Sequence, residues 1–170
     1  RHPNKIIKFD VKRKVPGKEI VKATSYEHDK FGNTSESAED AKQGAERRIK
    51  KYEDIKKECN KFQMIKIFGN KNSKNLIIGW GSTKTVILDA IEGMDAKFLQ
   101  VLYMKPLSDE IKKEIEKAGK VIIIENNLTG QLGRLLREKT GIKISDRILK
   151  YDSRPFVCDE LREEIIKKLK

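Results

Sequence analysis

The sequence predicts an α/β fold with three layers, in which a mostly parallel five-stranded sheet lies between helices on both faces. From residue 63 onward, short apolar runs alternate with stretches of helical periodicity. The apolar runs lack the polar alternation of a strand with one wet face, so the strands are buried on both sides, as in parallel sheets. The intervening helices supply the crossovers that parallel strands need. A length of 170 residues suits one core of ordinary size.

The part before the sheet divides into two predicted segments. Residues 1–36 form an extended lead-in, because proline and glycine interrupt its short apolar runs. Residues 37–62 form a long amphipathic connector helix, with Ser35 or Ser37 as N-cap. Its apolar stripe comprises Ala45, Ile49, Tyr52, Ile55, Cys59 and Phe62.

Residues 63–170 form the predicted α/β domain. Ser108 is expected to cap its second helix and Gly141 to end its third. The predicted strands are MIKIF, NLIIGWG, KFLQVLYM, VIIIEN and KISDRILK, and the predicted helices are KTVILDAIEGM, SDEIKKEIEKAG, TGQLGRLLREKTG and residues 158–169.

The net charge of +12 raises the possibility of a polyanion-binding module. However, Lys and Arg are interleaved with Glu and Asp throughout, as in RRIKKYEDIKKE, which is typical of solvated helix faces. Aromatic residues make up only 6% of the chain, which leaves little for base stacking. These features argue against nucleic acid as a partner.

The chain is expected to be cytoplasmic, without a membrane partner. No apolar run approaches the roughly 20 residues needed to cross a bilayer, and no signal pattern opens the sequence. Cys59 and Cys158 form no CxxC pair, so they are expected to be reduced, partly buried thiols that hold neither an iron–sulfur cluster nor zinc. The richness in Lys, Glu and Ile resembles thermophile proteins. Because the chain begins with Arg1, it is expected to be a fragment or the ordered part of a longer protein.

The segment GWGST, residues 79–83, is the first candidate site because it joins a strand to a helix, where glycines and a helix start can hold a phosphate. The third glycine of a dinucleotide fingerprint is replaced by Lys84, and no acidic residue follows at the required place. A helix start capped by Ser82 or Thr83 is the favoured interpretation. A nucleotide-binding module stays open as the alternative.

The segment ENNLTGQL, residues 125–132, is the second candidate site, because its polar side chains follow a buried strand at the edge where α/β sheets place functional groups. The alternative, at about even weight, is that these side chains satisfy the turn and cap the next helix. No nucleophile, base or metal set accompanies them. The candidate residues are Glu125, Asn126, Asn127, Thr129, Gly130 and Gln131.

The segment SYEHDKFGNTSE, residues 25–36, is the third candidate site, with Glu27, His28 and Asp29 in succession and Gly32 able to turn. Adjacent residues rarely all bind one metal, and the only other histidine is His2, so surface recognition or loop-locking hydrogen bonds are favoured over a metal site. Ahead of it, Arg13 precedes a Pro-Gly turn and could present its guanidinium to a carboxylate.

Taken in order, RKVPG, YEHDKFG, AERRIKK, LIIGWGST, VIIIENNLTGQLGRLLR and RILKYDSRPF resemble the carboxy-terminal part of the 2-oxoacid:ferredoxin oxidoreductase alpha subunit. The likeness is greatest to the 2-oxoglutarate branch; branched-chain 2-oxoacids and pyruvate are the alternatives. It implies a domain like the carboxy-terminal domain of transketolase. It also implies an enzyme that decarboxylates a 2-oxoacid on thiamine diphosphate and magnesium, reduces ferredoxin through iron–sulfur clusters, and releases an acyl-CoA.

The resemblance also implies what this chain contributes. No GDG motif for thiamine diphosphate and no cysteine cluster is present, so we expect no bound cofactor, no metal and no catalytic residue, and no activity of this chain alone. A beta subunit that binds thiamine diphosphate is the expected partner, with gamma and delta subunits as further candidates. Arg13 is expected near the substrate carboxylate.

Two expectations concern the later motifs. Glu125, Asn126 and Gln131 are expected to face a neighbouring domain or subunit as a docking edge. Ser153 stands where relatives often have glycine, so the turn is expected to be made differently or with less strain.

Overall fold

The structure, a computed structural model, describes residues 25–29 and 33–170. The chain divides into two compact units, with the boundary between Glu53 and Asp54. Most of the predicted lead-in, including Arg13 and Gly32, lies outside the described residues. None of the described helices is long and apolar enough to cross a membrane.

The first unit contains a short hairpin and most of a long helix. Strands β1 (Glu27–His28) and β2 (Thr34–Ser35) pair antiparallel, and helix α1 covers Ala38–Cys59. The Ser37 hydroxyl accepts the Asp40 N–H at 3.1 Å, so the predicted N-cap is confirmed. In the predicted apolar stripe, Ala45, Ile49 and Ile55 are exposed, and the other three residues are partly buried.

The second unit is built on one five-stranded sheet of order β3-β5-β4-β6-β7. Strand β3 runs antiparallel to β5, and the other neighbours are parallel. Strand β3 can run antiparallel because residues 70–74 join it to β4 without a helix, whereas the later strands are joined through helices. The strands are β3 (Ile65–Gly69), β4 (Asn75–Trp80), β5 (Lys97–Val101), β6 (Lys120–Glu125) and β7 (Asp146–Leu149).

Four helices cover the two faces of this sheet. Consecutive strand residues point to opposite faces: Ile78 packs with Ile111 and Leu132, and Ile77 packs with Ile87 and Leu161. The predicted three-layer α/β fold is therefore confirmed. The helices are α2 (Lys84–Ala90) and α5 (Cys158–Leu169) on one face, and α3 (Glu110–Lys117) and α4 (Gln131–Thr140) on the other.

The predicted helix ends agree in part. The Ser108 hydroxyl accepts the Glu110 N–H at 3.2 Å, and α4 ends where the Gly141 N–H donates to the Arg137 carbonyl at 2.9 Å. Thr83 is at the predicted N-cap position of α2, but its side chain makes no capping hydrogen bond. The Thr83 hydroxyl donates to the Trp80 carbonyl at 2.8 Å, because Gly81–Thr83 forms a 3₁₀ turn before the helix begins.

Helix α3 is attached to the sheet by a buried ion pair. The ammonium of Lys97, on β5, lies 2.7 Å from the Glu114 carboxylate, and Lys117 lies 3.2 Å from the same side chain. The hydrogen bond from Lys97 lowers the pKa of Glu114, against the opposing effect of burial. The ionised form of Glu114 therefore helps to hold α3 in place.

Candidate functional site

The carboxyl ends of β5, β4, β6 and β7 lie along one edge of the sheet, because these strands are parallel. In open α/β sheets this edge is where ligands and functional groups gather. We use the name carboxyl edge for Leu102, residues 126–131 and residues 150–154, which follow three of these strands. The second candidate segment of the sequence therefore lies at this edge.

Glu125 ends β6, and its carboxylate is turned into the protein. The side chain is fully buried, and its oxygens accept the backbone N–H groups of Leu132 at 2.8 Å and Gly133 at 3.1 Å. The Asn127 amide donates to the same carboxylate at 2.8 Å. A carboxylate at the amino end of a helix satisfies unpaired donors and complements the helix dipole. Contrary to the expected docking role, Glu125 thus has no surface to offer a partner, and it acts on α4.

Asn127 completes the cap on α4. Its side-chain oxygen accepts the N–H groups of Gly130 at 2.7 Å and Gln131 at 3.2 Å. Together with Glu125, it occupies the four backbone donors from Gly130 to Gly133. The amino end of α4 is therefore saturated by the chain's own side chains, and no donor there is left for a phosphate. Asn126, Thr129 and Gln131 lie at the surface of the same edge.

Gly130 and Gly133 make room for Arg147, which the sequence analysis did not single out. Gly130 has φ of +62°, and a Cβ built there would lie 2.9 Å from Arg147 Nη1. A Cβ on Gly133 would lie 3.2 Å from Arg147 Cζ. Arg147 is on β7, and its Nε donates to the Ile144 carbonyl at 3.2 Å. The guanidinium is thereby placed against the start of α4.

The turn after β7 has a backbone conformation that favours glycine. Ser153 has φ of +63°, a left-handed conformation that strains a residue with a Cβ, so the turn is not free of strain. Next to it, the Asp152 carboxylate accepts the Arg154 N–H at 3.1 Å and pairs with Lys150 at 3.2 Å. The pKa of Asp152 is lowered, mainly by the hydrogen bond from the Arg154 backbone N–H and to a smaller extent by the Lys150 ammonium.

The third candidate segment sends its side chains to different places. Glu27 contacts Gly44, which is the one buried residue of helix α1, all of whose residues the structure describes. Glu27 also forms an ion pair with Arg48. Asp29 accepts the backbone and side-chain N–H groups of Asn33 at 2.8 and 3.1 Å, which are loop-locking hydrogen bonds. His28 Nε2 is buried without a hydrogen-bond partner among the described residues.

Within the described residues, the first candidate segment, residues 79–83, contributes to the packing of the domain. Gly79 is buried under α2, since a Cβ there would lie 2.7 Å from Ile87 Cδ1, and Thr83 is buried with its hydroxyl on Trp80. Helix α2 is only seven residues long. Cys59 and Cys158 are free and partly buried, as predicted. Across residues 25–29 and 33–170, no three His, Cys, Asp or Glu side chains are grouped so that they could hold a metal ion.

The sequence of this chain is similar to those of known proteins. No protein-family model matches the chain. The alpha subunit of 2-oxoacid:ferredoxin oxidoreductase 1 from Sulfurisphaera tokodaii is 36% identical over 157 residues, which are 91% of this chain and 25% of that protein. The alpha subunit from Saccharolobus solfataricus is 35% identical over 151 residues, which are 85% of this chain and 24% of that protein.

A solved structure is also similar. The 2-oxoglutarate:ferredoxin oxidoreductase from Magnetococcus marinus, determined with 2-oxoglutarate, coenzyme A and succinyl-CoA bound, matches 88% of this chain with a TM-score of 0.67 and 25% identity. The match covers 28% of that chain.

Fold and sequence together define an α/β domain that is similar to part of the 2-oxoacid:ferredoxin oxidoreductase alpha subunits. The chain is a homologue of the 2-oxoacid:ferredoxin oxidoreductase alpha subunits and spans about a quarter of the length of the relatives it matches. The family resemblance predicted from the motifs is confirmed.

Proposed function

We propose that the chain serves as part of the alpha subunit of an enzyme that oxidatively decarboxylates a 2-oxoacid to an acyl-CoA, with ferredoxin as electron acceptor. The observation that carries the proposal is the 36% identity over 91% of the chain to the alpha subunit of a 2-oxoacid:ferredoxin oxidoreductase. The match to the Magnetococcus marinus enzyme supports it with the fold.

The proposed contribution of this chain is assembly and shaping of the site walls, with no activity of its own. At the carboxyl edge, the buried carboxylate of Glu125 is committed to three hydrogen bonds within the chain, so it is not placed to exchange protons with a substrate. The described residues also offer no grouping for magnesium or an iron–sulfur cluster. From the family resemblance, we propose that other parts of the enzyme and its beta, gamma or delta subunits bind thiamine diphosphate, magnesium and the clusters.

For the substrate we propose 2-oxoglutarate, with branched-chain 2-oxoacids or pyruvate as the alternatives. The support is the Magnetococcus marinus structure, which holds 2-oxoglutarate, and the likeness of the motifs to that branch. Arg13, which lies outside the described residues, is proposed to approach the substrate carboxylate, since a guanidinium can bind a carboxylate through two parallel hydrogen bonds.

The test is to produce the chain in its full-length context together with the other subunits and to measure CoA-dependent reduction of ferredoxin. We expect the highest kcat/KM with 2-oxoglutarate among 2-oxoglutarate, pyruvate and 2-oxoisovalerate. The isolated 170-residue chain should show no turnover. Failure to assemble with any other subunit would contradict the proposed function, and a preference for another 2-oxoacid would contradict the substrate only.

Arg13 has a separate test in the assembled enzyme. Arg13→Ala should raise the KM for the 2-oxoacid by at least about tenfold, the loss of one charge-assisted pair, while the KM for CoA stays the same. Lys14→Ala, one residue away, is the matched control. An unchanged KM in Arg13→Ala would remove Arg13 from the substrate site.

A further inference from the structure

We propose that the carboxyl edge is the docking surface for an acidic face of another subunit, and that Arg147 receives a carboxylate from that face. The inference rests on the proposed function, because it names the chemistry of the partner that a non-catalytic alpha-subunit domain would bind. Three observations carry it: exposed apolar side chains at this edge, a guanidinium held in place beside them, and, within the described residues, the lack of any carboxylate at the edge that could satisfy it.

Large apolar side chains are exposed at the ends of neighbouring strands. Leu128, in the loop after β6, is 61% exposed, and Tyr151, just after β7, is 64% exposed. The two segments are joined, since the Lys150 N–H donates to the Glu125 carbonyl at 3.1 Å. Leu102, which follows β5 on the other side of β4, is exposed as well. Clustered exposed apolar residues with polar neighbours are typical of protein interaction surfaces.

Arg147 adds a fixed charge to this surface. Its Nε is bound to the Ile144 carbonyl, and its Nη1 lies against Gly130, two residues after Leu128. In the described part of the chain, neither Nη group has a hydrogen-bond acceptor or an ion-pair partner. The free side of a guanidinium presents two parallel N–H donors that match a carboxylate. Because the side chain is already held, binding loses little side-chain entropy.

The charges at the edge exclude a second copy of this chain as the partner through the same surface. Glu125 is buried and bound to α4, and Asp152 is paired with Lys150 and Arg154. Within the described residues, the carboxyl edge therefore has no unpaired carboxylate to offer Arg147 of another copy. Two chains of net charge +12 would also repel each other. An acidic face of a different polypeptide can supply an unpaired carboxylate to Arg147 and is attracted to the positive charge of this chain.

The saturated end of α4 argues that the occupant is a protein and not a phosphate. Small anions at such an edge bind backbone N–H groups of a helix start, and those of Gly130 to Gly133 are all taken. What remains is apolar area together with one oriented guanidinium. Tyr and Arg are among the side chains most enriched in the residues that dominate binding at protein interfaces.

The first experiment compares variants in the assembled enzyme, with an affinity tag on the chain and the other subunits co-expressed. Leu128→Asp and Tyr151→Asp place a negative charge on the surface and should lower the amount of co-purified subunits by at least about tenfold. Ile166→Asp is the matched control, because Ile166 is exposed near the end of α5, which runs back toward the opposite edge of the sheet. It should leave the complex intact.

The second experiment identifies the partner residue. In Arg147→Lys, the amine at position 147 can be joined to a contacting carboxylate by a zero-length carbodiimide, and peptide mass spectrometry locates the product. A cross-link from position 147 to an Asp or Glu of another subunit is the expected result. A cross-link to another domain of the same alpha subunit, a cross-link to a second copy of this chain, or none from this position in an intact complex would overturn the inference.

The outcomes separate the two proposals. A wild-type chain that associates with no other subunit overturns the proposed function, and this inference with it. A complex that forms equally well with Leu128→Asp, or that Ile166→Asp disrupts to the same extent, overturns this inference alone. Thermal unfolding midpoints within a few degrees of wild type ensure that a lost complex reflects the surface.

Discussion

The carboxylate of Glu125 accepts the backbone N–H of Leu132 at 2.8 Å, so a buried strand end caps the helix that follows it. The same carboxylate reaches Gly133 and Asn127. The polar residues of this junction thereby divide into an inner pair, Glu125 and Asn127, that builds the edge, and outer ones, Asn126 and Gln131, that face outward.

Replacing Glu125 should show its role in stability. Glu125→Ala leaves buried N–H groups of Leu132 and Gly133 without acceptors and should lower the free energy of unfolding by about 3 kcal/mol. Glu125→Gln keeps one acceptor oxygen but loses the charge, and should cost about half as much. Urea unfolding measures both. Gln131→Ala, exposed at the same helix start, should change stability by less than about 0.5 kcal/mol, and equal effects of the two alanine variants would contradict the cap.

Alanine substitutions at Gly130 and Gly141 separate the cost of a positive φ from the cost of a steric contact with Arg147. Both have positive φ, 62° and 78°, so alanine at either carries a similar backbone penalty of about 1 kcal/mol. A Cβ on Gly141 meets open space, whereas one on Gly130 would lie 2.9 Å from Arg147 Nη1. Because Nη1 is the end of a long side chain that can shift, we expect Gly130→Ala to be the more destabilising variant in urea unfolding by no more than about 1 kcal/mol. If Arg147→Ala removes the difference, the contact is its cause; if the two alanine variants are equal from the start, Arg147 does not press on Gly130.

Ser153 should respond to glycine with a gain in stability. A left-handed conformation costs a residue with a Cβ about 1–2 kcal/mol, and glycine avoids that cost while losing some entropy on folding. Ser153→Gly should therefore raise the free energy of unfolding by about 0.5–1 kcal/mol. Ser82→Gly is the control, since Ser82 is exposed in a 3₁₀ turn and does not have positive φ. A loss of stability in Ser153→Gly would show that the conformation carries no strain.

The Lys97–Glu114 ion pair should make the free energy of unfolding depend on pH in the acidic range. The pKa of Glu114 is lowered in the folded state from its ordinary 4.5. The stability that ionised Glu114 contributes is therefore fully present above pH 4.5. It is lost as the pH falls through the lower pKa of the folded state. Glu114→Gln should cost about 3 kcal/mol at neutral pH, because it leaves Lys97 buried without a charge partner. Between about pH 5 and 3 the variant should lose less stability than the wild type, and parallel pH curves would contradict this.

Much of the fold follows from local patterns. The apolar runs around Ile77 and Ile123 predict buried strands because they lack polar alternation, and Ser37 and Gly141 mark helix ends by their own chemistry.

What could not be predicted depends on residues distant in sequence. The contact of Arg147 with Gly130 arises because β7 lies beside β6, and the direction of the Glu125 side chain depends on where α4 begins. Two glycines three residues apart in GQLG were the available signal for that contact, because they leave space on one side of the helix start.

The short edge strand β7 also limits how other chains can approach the sheet. It has only four residues, and the first two, Asp146 and Arg147, are charged, with Asp146 paired to Lys120 and Lys168. Short, charged outer strands resist the addition of a further strand from another chain, which is a common start of aggregation. The sheet is thereby protected from uncontrolled growth on that side, and a partner has to recognise side chains, which makes its recognition selective.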